Sequence, residues 1–129
     1  MPGVLTVQRL SDANAVPAVA RSANILIATP LEFVPPGMWT GCTVDFDLDS
    51  ITGTSITFTL VGYNETTDDW YSLLSTAAVA APGNVSLTIS PVTPPAANAA
   101  LCRALPGRLG LITSGTWSAA LFGADIIYF

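Results

Sequence analysis

The chain has no histidine and no lysine, and these two absences remove more chemistry than any residue present supplies. Histidine is the usual general base, and lysine is the usual amine nucleophile or Schiff-base former. Without histidine, neither Cys42 nor any serine has the partner that would activate it. No G-x-S-x-G elbow, P-loop or H-E-x-x-H motif occurs. Paired carboxylates are the one remaining route to catalysis, and the chain is read as not an enzyme and without a cofactor.

Charge is also scarce. Charged residues make up 10% of the 129 positions, far below the ~25% of ordinary soluble domains. The cations are four scattered arginines, Arg9, Arg21, Arg103 and Arg108, and the net charge is −5. A nucleic-acid binder needs a basic footprint, which excludes DNA and RNA as direct partners. No run of about 18 apolar residues is present, so a membrane-spanning helix is excluded as well. The terminal Phe129 invites comparison with the last strand of an outer-membrane barrel. The alternation Phe129, Ile127, Asp125, Gly123, however, puts a carboxylate on the lipid side. The opening MPGVLTVQRL lacks the basic start and apolar run of a secretory leader, so synthesis in a reducing cytoplasm is expected. Cys42 and Cys102 are then expected as two buried thiols rather than a bridge. The sequons Asn64-Glu65-Thr66 and Asn84-Val85-Ser86 are expected to be chance.

What the chain does have is hydrophobic residues, at 50%, and a mean hydropathy of +0.55. A monomer of this composition is expected to show apolar surface to water, which points to an assembly. The apolar residues recur with period two, the mark of half-buried strands. Val44, Phe46 and Leu48 alternate with Thr43, Asp45, Asp47 and Asp49. Ile56, Phe58 and Leu60 alternate with Ser55, Thr57, Thr59 and Val61. Val85, Leu87 and Ile89 repeat the pattern. Turns are expected at Pro35-Pro36-Gly37, Ser50–Gly53, Asn64–Asp69, Ala81–Asn84, Pro106-Gly107 and Ser114-Gly115. Residues 53–91 thus read as a three-stranded meander. Further strands are expected at Asn24–Thr29, Arg108–Thr113 and Thr116–Phe129, and one or two helical turns at Ala96–Ala104.

Seven to eight strands without a convincing amphipathic helix define an all-β chain. The expected fold is an antiparallel β-sandwich, jelly-roll or immunoglobulin-like. Residues 1–23 read as an extended N-terminal arm or edge strand, and 24–129 as a single sandwich domain.

Two groups of side chains invite a functional reading. Asp45, Asp47 and Asp49 project from one face of a strand, as a calcium or magnesium site would require. Each step along that face is about 6–7 Å, too wide for one ion without loop ligands, so a solvated charged face is the stronger expectation. Trp39, Trp70 and Trp117 could form a sugar platform, but all sit near strand ends, where packing is the commoner use. Trp39 and Trp117 are the candidates for interface packing.

Residues 53–129 carry a resemblance. The elements are Ile56-Thr57-Phe58-Thr59-Leu60 followed by Gly62, then Trp70-Tyr71-x-Leu73-Leu74 with an alanine-rich tail. A strand running to Pro91, the Ala96-Ala97-Asn98 connector and Leu105-Pro106 with a following arginine complete it. In this pattern the chain resembles small structural proteins of tailed bacteriophages. Similar proteins commonly carry more charge after the Leu-Pro than Arg108-Leu109-Gly110 provides here. The resemblance implies a virion protein made in the host cytoplasm, a capsid decoration or cement protein. Its implied partners are the major capsid protein lattice and further copies of itself, with a trimer favoured. Val4, Leu5, Val7 and Arg9 are the expected lattice contacts, and deleting residues 1–10 is expected to abolish capsid binding without unfolding the sandwich. A tail-tube, head–tail joining or fibre-base subunit is the alternative, and a carbohydrate-binding sandwich or a carboxylate-pair hydrolase is more remote.

Overall fold

The computed structural model describes residues 6–8, 16–33, 35, 41–90, 99–101 and 106–128. Eight strands and no helix lie among them. In chain order they are β1 (Thr6–Gln8), β2 (Val16–Arg21), β3 (Leu31–Phe33), β4 (Cys42–Asn64), β5 (Asp69–Ser75), β6 (Gly83–Ser90), β7 (Ala99–Leu101) and β8 (Leu109–Tyr128). All eight belong to one hydrogen-bonded sheet. Every pairing is antiparallel except that of β6 with β7. The all-β, antiparallel expectation therefore holds.

Two strands dominate. β4 has 23 residues and β8 has 20, several times the usual length of about five or six. They pair with one another from Cys42↔Tyr128 to Gly62↔Leu109. The turns expected at Ser50–Gly53 and Ser114-Gly115 do not form, because both strands keep pairing through those residues. The ladder bends there instead. Its register slips between Leu48 and Ser50, between Thr52 and Gly53, and between Gly53 and Ser55. Bulges of this kind bend strands and sharpen their twist. Gly53 and Gly115 take φ of +137° and +107°, a region that side chains rarely tolerate. A Cβ on Gly53 would collide with the Trp117 backbone, and one on Gly115 with the Ser55 carbonyl. Glycine on both strands lets the two backbones meet at the corner.

The corner folds the sheet onto itself. Phe46 and Phe58 lie twelve positions apart on β4 and would be about 40 Å apart in a straight strand. Their rings stack with centroids 4.7 Å apart, and Phe58 meets Phe122 edge-on at 5.1 Å. The two halves of the sheet therefore face each other across one core. Val44, Phe46, Leu48, Leu87, Ile89, Phe122 and Ile126 come from the first half, and Ile56, Phe58, Leu60, Leu109, Leu111 and Phe33 from the second. The inward residues expected for β4 and β6 are the ones observed, but Thr59 and Val61, expected on the other side of β4, are buried as well.

The flanking strands distribute along the edges of the long pair. On β8, β3 covers Leu109–Leu111, β2 pairs between Ala120 and Ala124, and β1 covers Ile126–Tyr128. On β4, β6 covers Cys42–Leu48 and β5 covers Thr59–Asn64. Strand β6 thus pairs with the first half of β4, not with β5. The expected meander is replaced by a hairpin, β4–β5, and a crossing to the opposite half. The crossing segment stays tied to β4 through Thr76 N–H to the Phe58 carbonyl and a two-way bridge between Ile56 and Val79.

Two further expectations need correction. Asn24–Thr29 is not a strand but a turn, closed by Thr29 N–H to the Leu26 carbonyl at 3.0 Å. Within the stretch expected as helical turns, Ala99–Leu101 is a strand paired parallel to β6, and the remainder lies outside the described residues. The accessible surface of the chain is 6708 Å². A compact monomer of this mass has about 6,500 Å².

Candidate functional surface

The alternation that buries Val44, Phe46 and Leu48 turns Thr43, Asp45 and Asp47 outward. Antiparallel register then sets Asp45 directly opposite Asp125 on β8 and opposite Ser86 on β6. Ser86 donates to Asp45 Oδ1 at 3.1 Å, and Thr43 and Thr88 share a hydrogen bond at 2.9 Å. Asp49 is the extra residue of the first register slip and stays exposed. The carboxyls of Asp47 and Asp49 lie within hydrogen-bonding reach. Desolvation against the sheet, then the neighbouring carboxylates of Asp49, Asp45 and Asp125, hold Asp47 above its ordinary pKa. Asp125 Oδ1 is shielded from solvent and has no hydrogen-bond partner among the described residues.

This strip joins the three expected aspartates to a fourth, Asp125, that periodicity alone did not associate with them. It is a row along the sheet. Among the described residues, no group of three or more His, Cys, Asp or Glu is placed to hold a metal ion.

Trp70 and Trp117 do not share a platform, and Trp39 lies outside the described residues. Trp117 lies at the corner, partly buried against the core, and its indole N–H donates to Asn24 Oδ1 at 2.7 Å. The Thr113 hydroxyl donates to the same oxygen at 3.1 Å, and Asn24 Nδ2 donates to the Gly115 carbonyl at 3.0 Å. Ile25 N–H donates to Thr113 Oγ1, and Thr113 N–H to the Ile25 carbonyl. Asn24 therefore pins the β2–β3 connection onto the bent part of β8.

Trp70 lies near the opposite end of the second half, across from Tyr63 in the β4–β5 hairpin, with their rings edge-to-face at 5.2 Å. The Arg108 guanidinium lies 4.2 Å from the centre of the Tyr63 ring and 5.1 Å from that of Trp70. Its Nε and Nη2 both donate to Glu32 Oε1, at 2.9 and 2.7 Å. One row, Glu32 of β3, Arg108 just before β8, Tyr63 of β4 and Trp70 of β5, ties β3 to the hairpin. Arg108 thus lies over both rings. The loop beyond the pair is an Asx turn in which Asn64 Oδ1 accepts from the N–H groups of Thr66 and Thr67.

The large hydrophobic side chains left exposed among the described residues are Leu26 at 63%, Ile27 at 43%, Val19 at 42% and Tyr71 at 38%. Three of the four belong to the segment 19–27, which runs along the β8 edge. The other exposed positions among the described residues are rich in Ser, Thr and Ala.

Of the expected lattice contacts, Val4, Leu5 and Arg9 lie outside the described residues, as does the interface candidate Trp39, and Val7 pairs through its backbone with Ile127. Cys42 is buried at the end of β4, and Cys102 lies outside the described residues. Burial, then the Cys42 thiol, raises the Tyr128 phenol well above its ordinary range. Arg21 reaches over the Phe122 ring at 5.0 Å, and desolvation lowers its pKa. Asn24 and Arg108 were not legible as structural hubs. Asn24 meets partners some ninety positions away, and Arg108 reads locally as one arginine after a turn. No protein-family model, no curated protein and no solved structure matches this chain.

Proposed function

We propose that the chain is a bacteriophage virion structural protein that decorates the capsid, binding the major capsid lattice through the β8 edge layer formed by residues 16–33. The family expectation comes from the resemblance over residues 53–129. Those residues supply the second half of β4, the β4–β5 hairpin, β6 and β8, the framework of the fold. The observation that carries the choice of surface is that Val19, Leu26 and Ile27, three of the four large hydrophobic side chains left exposed among the described residues, all lie in the segment along the β8 edge. Asn24 fixes the turn bearing Leu26 and Ile27, so little ordering entropy is lost when that turn docks.

The double variant Leu26→Ser/Ile27→Ser tests the surface. It should keep the wild-type unfolding midpoint and lose binding to undecorated capsids. A variant that still saturates capsids removes this edge from the interface. The alternative, a tail-tube, head–tail joining or fibre-base subunit, is separated by counting copies per purified virion. Decoration requires hundreds of copies, whereas a ring at a single vertex requires about a dozen, as the symmetry of each site dictates.

A further inference from the structure

We draw no further inference here: the strongest candidate, the four-carboxylate strip of Asp45, Asp47, Asp49 and Asp125 on the outer face of the first half-sheet, is an acidic cluster that no second feature among the described residues ties to a ligand.

Discussion

Asn24 satisfies the Trp117 indole, the Thr113 hydroxyl and the Gly115 carbonyl with a single amide. Truncation to alanine would leave the indole and the carbonyl without this partner at a half-buried site, where each lost bond costs about 1 kcal/mol or more. Asn24→Ala should therefore lower the stability by about 1–3 kcal/mol, read as a lower urea midpoint with an unchanged slope. An unchanged midpoint would show that water replaces the amide without loss. Asp47 makes the opposite case. Its pKa is raised in the folded state, so the folded chain binds this proton more tightly than the unfolded chain does. The cost of its charge is fully present above the folded pKa and is relieved as pH falls through that value toward the ordinary carboxylate pKa. Asp47→Asn should then raise stability near pH 7 by a few tenths of a kcal/mol, since the group is exposed and screened. The gain should shrink as pH falls toward the ordinary carboxylate value of about 4 and be gone below it. Thermal melts of both proteins across that range would measure it, and a variant less stable at neutral pH would contradict the repulsion.

At the scale of elements, the long β4–β8 pair was half legible. Alternation identified the inward residues on each side of the corner, from Val44 to Leu48 and from Ile56 to Leu60, because period two is a local property of a half-buried strand. The continuity through Gly53 and Gly115 was not legible. A glycine beside serine and threonine has the same local chemistry in a turn as in a bulged corner. What separates the two is the partner strand, some sixty positions away. Strand order fails for the same reason: β6 pairs with the first half of β4 and not with its neighbour β5, and no local pattern encodes that crossing. The corner makes its own prediction. Gly53→Ala and Gly115→Ala each force a side chain into positive φ and into the opposing backbone. Each should cost upward of about 2 kcal/mol, with a loss of soluble yield or a lowered melting temperature. Near-wild-type stability of both variants would mean that the two strands do not approach so closely.

At the scale of the whole molecule, the fold alters one expectation about the N-terminus. Deleting residues 1–10 would remove β1 and uncover the edge of β8 at Ile126–Tyr128, so the truncation perturbs the sheet as well as any contact. Substitutions on the exposed turn separate binding from folding more cleanly. The composition also takes on a different meaning once the core is seen. A hydrophobic fraction of one half fills two facing half-sheets and leaves a surface close to that of an ordinary monomer. Among the described residues, three of the four large hydrophobic side chains left exposed lie in the segment 19–27. The direct test of the proposed capsid role is electron microscopy of purified protein mixed with expanded, undecorated phage capsids. Density repeating at every equivalent lattice position, with residues 16–33 facing the shell and greater heat resistance of the particle, is the predicted result. Density at one vertex alone, or bare capsids at saturating protein, would contradict it.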